Sequence, residues 1–340
     1  MEPVFFRKVN KNRKEEEMSD RKKKRRILVL MVLTGILLCT GCKDWRKEGD
    51  ASSFIQTVVP LSRTGISLHL SCLRKKDAGG NRSILLIHGS SYSSHEFDID
   101  YRDYSPVRFL AENGYSVWLL DIAGYGQSGE VADPMRPDTA WAAEDIHAAV
   151  EKIVQETGQD QIDLLGWSWG TMTAAACAVK HPEHIGKLVL YGPILSGLGE
   201  MEIENDYSHN TWESAAEDFQ KKEDGSFDLD TADPVLIGLW CSSCWKYDKD
   251  TSPAGWKKDV FVDRNTSLIH LDEISVPTLV ICGDRDPYLN YDLVHGALNH
   301  LPKGSELQII PGGSHIVMYE KPYYRSFQNH LISFLKKQDD

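Results

Sequence analysis

The chain has 340 residues, 41% of them apolar and 26% charged, with a net charge of −12. This composition excludes a wholly disordered chain, and the lack of any repeat of 20–50 residues excludes solenoids and propellers. The first 41 residues carry 11 Lys/Arg and 5 Asp/Glu, which leaves 27 basic and 45 acidic residues in the remainder, an acidic body that argues against nucleic acid as a partner.

The N-terminal segment has the order of an export signal. A dense basic run precedes the apolar stretch Ile27–Thr40, and Gly41 and Cys42 follow it. Fourteen residues are too few to cross a bilayer comfortably, and the order basic, apolar, small is typical of signal peptides. The end of the segment resembles a bacterial lipoprotein signal, although Cys39 stands where leucine is usual. The resemblance implies that Cys42 becomes lipid-modified and anchors the protein in the cell envelope, outside the cytoplasm.

Two other interpretations of this segment stay open, a signal anchor and a cleaved secretory signal. Met18 offers a start that would give the basic leader an ordinary length. We expect residues 1–41 to form the leader and signal peptide and residues 42–53 to form a polar tether. Every alternative places the body outside the cytoplasm, where disulfides are permitted.

Apolar runs predict strands that alternate with helices. The inner runs are continuously apolar, as is typical of parallel strands buried on both faces. Helices are predicted over 139–156 and 322–336, where apolar residues form one stripe. A short turn after the first strand predicts that the sheet opens with antiparallel strands. The eight predicted strands are Phe54–Val59, Ile66–Leu73, Ile84–His88, Ser116–Asp121, Ile162–Gly166, Lys187–Tyr191, Thr278–Cys282 and Leu307–Ile310.

The alternation is interrupted over 193–265, a stretch rich in Asp, Glu, Ser and Trp without a clear strand. We expect this stretch to be a mainly helical or irregular cap inserted into a core made of 54–192 and 266–340. Binding sites of open α/β sheets lie at the carboxyl ends of the strands, where such an insertion would sit. The predicted fold is a mostly parallel, eight-stranded α/β sheet flanked by helices.

A serine stands at the junction between a predicted strand and a predicted helix, in the pentapeptide Gly166-Trp-Ser168-Trp-Gly170. A strained turn lifts such a side chain clear of the sheet, and the flanking glycines avoid collisions with the neighbouring strand and helix. A serine hydroxyl becomes a useful nucleophile only when a base removes its proton. Because a Gly-x-Ser-x-Gly motif lies between a strand and an Ala-rich helix, this stretch resembles the nucleophile elbow of the α/β-hydrolase superfamily.

The resemblance implies a catalytic triad in the order serine, acid, histidine. Ser168 is the nucleophile, Asp286 after a later strand is the acid, and His315 on a loop before the last helix is the base. Asp284 competes with Asp286, but the second acid of such a turn is the triad member in relatives. Asp284 is interpreted as a solvated or turn-stabilising carboxylate.

The resemblance also implies an oxyanion hole formed by two backbone N–H groups. One belongs to Trp169, directly after the nucleophile, and the other to Ser90 in the loop after His88, with Ser91 as the second choice. His88 is interpreted as a structural residue beneath that loop. Asp121 and Ser128 lie in a loop typical of the family and are likewise interpreted as architecture.

Three features of the cap leave alternatives open. Cys241 and Cys244 form a local disulfide, remain free thiols, or make a redox or metal site. The cap tryptophans line an acyl pocket or form the cap's own core. An acidic run either binds a substrate amine or is a solvated face; its members are Glu200, Glu202, Glu204 and Asp206.

Serine at the elbow favours hydrolysis of an ester or amide through an acyl-enzyme, with no metal or organic cofactor. We expect a carboxylesterase or lipase-like enzyme that acts on a small-molecule substrate. The tryptophans beside the serine somewhat resemble proline-iminopeptidase-like members, so an aminopeptidase is the alternative. A non-catalytic lipoprotein that binds a ligand or partner is the alternative from another class.

Overall fold

The computed structural model describes residues 53–76, 82–248 and 251–337. The predicted leader and signal (1–41), the lipidation site Cys42 and the tether up to residue 52 lie outside the described residues. Within the described ranges, no helix has both the length and the apolarity needed to cross a bilayer.

An eight-stranded sheet forms the centre of the fold, in the order β1-β2-β4-β3-β5-β6-β9-β10. Strand β2 pairs antiparallel with β1 and with β4, and the other pairs in the sheet are parallel. The prediction of an eight-stranded, mostly parallel sheet is confirmed, and each predicted run lies in a strand apart from His88, which follows the end of β3. The strands are β1 Phe54–Arg63, β2 Ile66–Lys75, β3 Arg82–Ile87, β4 Tyr115–Asp121, β5 Ile162–Trp167, β6 Ile185–Tyr191, β7 Tyr207–His209, β8 Thr251–Pro253, β9 Thr278–Gly283 and β10 Glu306–Ile310.

Helices cover both faces of the sheet. Because side chains alternate along a strand, Ile84 and Leu86 pack into one apolar cluster while Leu85 and Ile87 pack into a second. Helices α1 and α8 contribute to the first cluster, and α2 and α3 to the second. The helices are α1 Pro106–Glu112, α2 Thr139–Thr157, α3 Trp169–Lys180, α4 Trp212–Ala215, α5 Pro234–Tyr247, α6 Lys257–Val260, α7 Tyr291–Gly296 and α8 Tyr324–Lys336.

The cap, residues 193–265, contains helices α4 to α6 and the antiparallel pair β7–β8, which the sequence did not predict. Asp248 attaches the end of α5 to the core. Its Oδ2 accepts hydrogen bonds from the backbone N–H (3.0 Å) and hydroxyl (2.9 Å) of Ser93, and its Oδ1 accepts one from the N–H of Gly126 (3.0 Å). The buried Trp240 ring lies edge-on against Trp167, with 5.9 Å between the ring centroids. The cap is therefore fixed beside β5, the strand that precedes Ser168.

The disulfide alternative for the cap cysteines is wrong for this structure. Cys241 and Cys244 are free and buried on α5. Burial raises the pKa of the Cys241 thiol to about 12 and raises that of the Cys244 thiol well above its usual value, so both stay protonated. Each thiol packs into the apolar interior as a small hydrophobic group, and the Cys241 sulfur lies 3.7 Å from the carbonyl of Trp212.

The cap tryptophans are divided among different environments. Trp212 and Trp240 belong to the cluster of α1 and α8, Trp256 packs against the other cluster, and Trp245 is exposed. They therefore do not form a separate core of the cap.

Candidate active site

Ser168 lies at a strained turn between β5 and α3. Its φ of 57° and ψ of −124° are unusual for a residue with a side chain. A Cβ atom on Gly166 would lie 2.1 Å from the carbonyl oxygen of Gly170, and one on Gly170 would lie 2.4 Å from that of Ile87. The two glycines therefore let helix and strands approach closely enough to hold the serine in this conformation.

The two neighbouring tryptophans fix the surroundings of the serine. The indole N–H of Trp167 donates to the backbone carbonyl of His315 at 3.1 Å. The indole N–H of Trp169 donates to the hydroxyl of Thr139, at the start of α2, at 3.1 Å. Each side of the elbow is thus tied to a different part of the chain.

His315 and Asp286 form a buried pair on the loops after β10 and β9. The Nδ1 of His315 lies 2.6 Å from Oδ2 of Asp286, and both residues are 3% exposed. Because a carboxylate only accepts, the ring carries its proton on Nδ1 and leaves Nε2 as the basic nitrogen. The other carboxylate oxygen accepts from the backbone N–H of Tyr288 at 3.0 Å, which fixes the acid.

The histidine ring is held on several sides. The hydroxyl of Tyr191 donates to the His315 carbonyl at 2.8 Å. The rings of Trp167 and Tyr288 contact the imidazole at centroid distances of 5.4 and 4.8 Å. The packing limits the ring to a narrow set of orientations.

The end of β6 contacts both the serine backbone and the histidine ring. The backbone N–H of Ser168 donates to the carbonyl of Tyr191 at 3.0 Å. The next residue, Gly192, has a φ of 56°, and a Cβ there would lie 3.0 Å from the ring of His315 and 3.2 Å from Asp286. The Ser168 hydroxyl makes no hydrogen bond to another described residue, and in the absence of substrate such catalytic contacts are often long.

Two opposing effects set the basicity of the imidazole. Burial lowers the pKa of His315, but the charge and the hydrogen bond of Asp286, with the charge of Asp218, outweigh burial and raise it above the usual value. A raised pKa stabilises the imidazolium that forms when the ring accepts a proton.

The loop after β3 lies beside the elbow. A Cβ on Gly89 would lie 3.5 Å from that of Ser168. The N–H of Gly89 donates to the buried carboxyl of Glu96 at 2.8 Å, whereas the N–H groups of Ser90 and Trp169 donate to no described residue. Two free N–H groups near the serine are what an oxyanion hole requires.

Glu96 is a residue that the sequence analysis missed. It is 2% exposed, and burial raises its pKa well above the usual value. Its hydrogen bond to Gly89 holds the loop that presents Ser90. A lone glutamate in a polar segment gave no sequence signal for this contact.

Other residues of the hydrolase pattern have structural contacts. His88 is fully buried and accepts a hydrogen bond on Nε2 from the N–H of Ile122 at 3.1 Å. Asp121 accepts from the N–H groups of Ser94 and Gln127, and the hydroxyl of Ser128 donates to the Asp121 carbonyl. These contacts agree with the interpretation of His88, Asp121 and Ser128 as architecture.

Asp284 occupies a turn, as expected. Its carboxylate accepts from the N–H of Gly312 at 2.6 Å and is exposed. Asp286, two residues later, is the acid that contacts the histidine.

One group of side chains has donor atoms close enough to hold a metal ion, among the described residues. His69, His95 and Asp121 place one ligand atom each within 4.8 Å of one another. The Asp121 oxygens already accept hydrogen bonds from Ser94 and Gln127, and His95 contacts the side chain of Gln127. These contacts account for the cluster without a metal.

The cap makes contacts with the loop of His315 that the sequence analysis did not predict. The hydroxyl of Ser314 donates to the carbonyl of Asp218 at 3.1 Å. The amide of Gln220 donates to the carbonyl of Gly312 at 2.8 Å and to the Glu320 carboxyl at 2.7 Å. In contrast, the acidic run considered for a substrate amine is exposed; its members are Glu200, Glu202, Glu204 and Asp206.

Comparisons with known proteins agree with the fold. A model of the family described as "alpha/beta hydrolase fold" matches residues 82–322, so the chain belongs to that family. A 2-hydroxy-6-oxononadienedioate/2-hydroxy-6-oxononatrienedioate hydrolase of Klebsiella pneumoniae is 27% identical over 274 residues, which cover 76% of this chain and 88% of the relative.

Solved structures give the same result for the fold. A carboxylesterase from Bacillus subtilis has a TM-score of 0.56 at 17% identity, covering 84% of this chain and 93% of that one. An α/β-hydrolase fold protein from Chitinophaga pinensis has a TM-score of 0.59 at 17% identity, covering 83% and 98%. With the family match and the Klebsiella relative, the protein is an enzyme of the α/β-hydrolase class.

Proposed function

We propose that the protein is a serine hydrolase that cleaves a carboxylic ester through an acyl-enzyme. The observation that carries this proposal is the 2.6 Å contact between His315 and Asp286 beside a serine held at φ 57°. A strained, presented hydroxyl next to an oriented imidazole is the arrangement that activates a serine.

The first half of the proposed reaction transfers the acyl group to the enzyme. The Ser168 oxygen attacks the ester carbonyl while Nε2 of His315 takes the hydroxyl proton. The N–H groups of Ser90 and Trp169 stabilise the oxyanion, and Asp286 stabilises the imidazolium. Collapse of the intermediate breaks the ester bond, and the imidazolium gives its proton to the leaving alcohol.

The second half releases the acid. Water attacks the acyl-enzyme, and His315 takes a proton from that water as the general base. Collapse of the second tetrahedral intermediate breaks the bond between the acyl carbon and the Ser168 oxygen, and the His315 imidazolium gives its proton to that oxygen. The carboxylic acid leaves, and the enzyme regains its starting state.

Hydrolysis of a carbon–carbon bond is the second candidate. The name of the Klebsiella relative states that it acts on a 2-hydroxy-6-oxo dienedioate, and a carbon–carbon bond beside a ketone needs the same oxyanion stabilisation. The carboxylesterase likeness at 17% identity supports the fold alone. The sequence analysis leaves two further alternatives. One is an aminopeptidase, and the other is a lipoprotein that binds a ligand or partner without catalysing a reaction.

Labelling and turnover together test the proposal. A fluorophosphonate probe is expected to label the wild-type protein at Ser168, and Ser168→Ala is expected to lose both labelling and turnover of short-chain aryl esters. Unlabelled wild-type protein would favour the non-catalytic alternative. Turnover of a 2-hydroxy-6-oxo dienoate or an N-terminal prolyl amide without ester turnover would favour the corresponding alternative.

The proposed location is the outer side of a bacterial membrane, with a lipid anchor on Cys42. The basic, apolar and small-residue order before that cysteine supports this proposal. Cys42→Ser is expected to abolish incorporation of a labelled fatty acid and to release the protein from membranes. Unchanged incorporation of the label in this variant would contradict the anchor.

A further inference from the structure

Asp218 lies in the cap, and its carboxylate is beside the proposed triad. The reaction described above does not use this carboxylate to break a bond. We propose that Asp218 is the specificity-determining residue of the site and selects esters that carry a positively charged group over esters that carry a carboxylate. This inference rests on the proposed serine-hydrolase function.

The backbone around Asp218 is fixed to the catalytic loop. Its carbonyl accepts from the hydroxyl of Ser314, the neighbour of His315. Two residues later, Gln220 donates to the carbonyl of Gly312 and to the carboxyl of Glu320. The Asp218 carboxylate therefore has a defined position relative to the proposed base.

The side chain of Asp218 has few partners in the protein. Its one side-chain hydrogen bond to a described residue is a long contact of 3.5 Å from the Tyr288 hydroxyl. The Tyr288 ring lies 4.8 Å from that of His315, edge to face, so it bridges the carboxylate and the imidazole. A half-buried carboxylate with one long hydrogen bond retains most of its capacity to accept from a ligand.

Acidic groups dominate the charge next to His315, although one cation lies close by. The two charged groups that act on the His315 imidazole are Asp286 and Asp218, both acidic. Burial raises the pKa of Glu96, and the charge of Asp218 contributes in the same direction. The nearby cation Arg285 donates to the Gln220 side chain at 3.2 Å and acts on Glu320. A cationic substrate group would offset this negative potential, whereas an anionic group would add to it.

The same charges argue against the substrate in the Klebsiella relative's name, a dienedioate with two carboxylates. A buried carboxylate needs a cation or several N–H donors, since desolvation is otherwise costly. The carboxylate of Asp218 supplies repulsion instead. We therefore expect this chain and that relative to differ in the charge of their substrates.

The experiment compares esters that are matched in shape and differ in charge. Butyrate esters of choline and of 3,3-dimethylbutanol test the alcohol side, because the trimethylammonium and tert-butyl groups have similar size. Aryl esters whose acyl chain ends in trimethylammonium, tert-butyl or carboxylate test the acyl side. The wild-type protein is expected to show kcat/KM about tenfold higher for the cationic ester than for the neutral one on one of the two sides, and this preference should shrink as salt increases.

Asp218→Asn keeps the size of the side chain. It is expected to lower the ratio of kcat/KM for the cationic ester to that for the neutral ester about tenfold. Glu217→Gln is the matched control, because it makes the same charge change at an adjacent exposed position, and it is expected to leave the preference unchanged. A cationic-to-neutral ratio in Asp218→Asn equal to that of the wild type would overturn the inference. An equal loss of kcat/KM for all esters, together with a shifted pH profile, would also overturn the inference. Asp218 would then act through His315 and not on the charge of the substrate.

Labelling of Ser168 by an uncharged fluorophosphonate separates this inference from the proposed function. Labelled protein without a charge preference refutes the role of Asp218 alone. Unlabelled wild-type protein refutes the serine-hydrolase function, on which the role depends.

Discussion

Asp286 and His315 lie 29 residues apart in sequence, and their side chains meet at 2.6 Å. They meet because β9 and β10 are parallel neighbours, so the loops after them leave the sheet at the same edge. Strand β9 pairs with β6 on its other side. Gly192, directly after β6, lies against the side chains of both His315 and Asp286. The topology of the sheet thus places an acid and a base together without any local sequence relationship between them.

Asp286→Asn is expected to lower kcat for an aryl ester by about 10⁴-fold, because an amide no longer holds the ring with its proton on Nδ1. Asp284→Asn is the matched control, since the Asp284 carboxylate accepts from Gly312 instead of contacting the ring. It is expected to change kcat only a few-fold. Circular dichroism checks that both variants fold, and a similar loss in both would contradict the assignment of Asp286.

Gly192→Ala is expected to reduce kcat by about 10²-fold, because its Cβ would meet the His315 ring at 3.0 Å and displace it. Gly158→Ala is the control, since Gly158 also has a positive φ, of 68°, but has no atom within 4 Å of a Cβ. Both variants are expected to lose roughly 1–2 kcal/mol of stability from backbone strain. Full activity in Gly192→Ala would show that the ring does not depend on this contact.

Much of the sheet and the pattern of the site could be predicted from the sequence, because the signals are local. Continuous apolar runs mark the buried strands, and the spacing around Ser168 marks the strained turn. The positions of Asp286 and His315 follow from strand order. The collisions that Gly166 and Gly170 avoid agree with the expected reason for these glycines.

The contacts between cap and core could not be predicted, because they join distant residues that carry no local pattern. Ser93 and Asp248 are 155 residues apart, and Gln220 and Gly312 are 92 apart. The spacing of Cys241 and Cys244 is compatible with a disulfide in an oxidising compartment, yet the fold buries both thiols in an apolar cluster. Only the packing of α5 decides between these outcomes.

Gln220→Ala is expected to destabilise the protein by roughly 1–3 kcal/mol, because it removes hydrogen bonds to Gly312 and Glu320 that hold the cap against the histidine loop. Glu223→Ala, at an exposed position three residues away, is expected to have almost no effect. Thermal unfolding measures the difference. Faster amide hydrogen exchange over 312–315 in Gln220→Ala alone would locate the loss in the loop, and equal melting temperatures in the two variants would contradict the contact.

The buried carboxyl groups are expected to make the protein less stable as the pH rises from about 4 to about 7, and they outnumber His88 and His95, whose pKa burial lowers and which act in the opposite direction. Burial raises the pKa of six carboxyl groups in the folded protein. They are Glu96, Asp145, Asp218, Asp248, Asp259 and Glu320. For Asp248 burial raises the pKa to about 7, against the opposing hydrogen bonds from Ser93. A raised folded-state pKa means that the folded state binds protons more tightly than the unfolded state, so this stabilisation is fully present below the unfolded pKa and is lost as pH passes through the folded value.

Urea unfolding at pH 5, 6, 7 and 8 tests this expectation, with Asp248 contributing a decline of at most about 4 kcal/mol. Asp248→Asn is expected to be less stable than the wild type at pH 5, because an amide cannot accept from both Ser93 and Gly126, and to show a shallower decline towards pH 7. Asp206→Asn, at an exposed cap position, is expected to follow the wild-type profile. A wild-type stability that rises between pH 5 and pH 7 would contradict the expected direction, because the unfolded state would then hold more protons than the folded state.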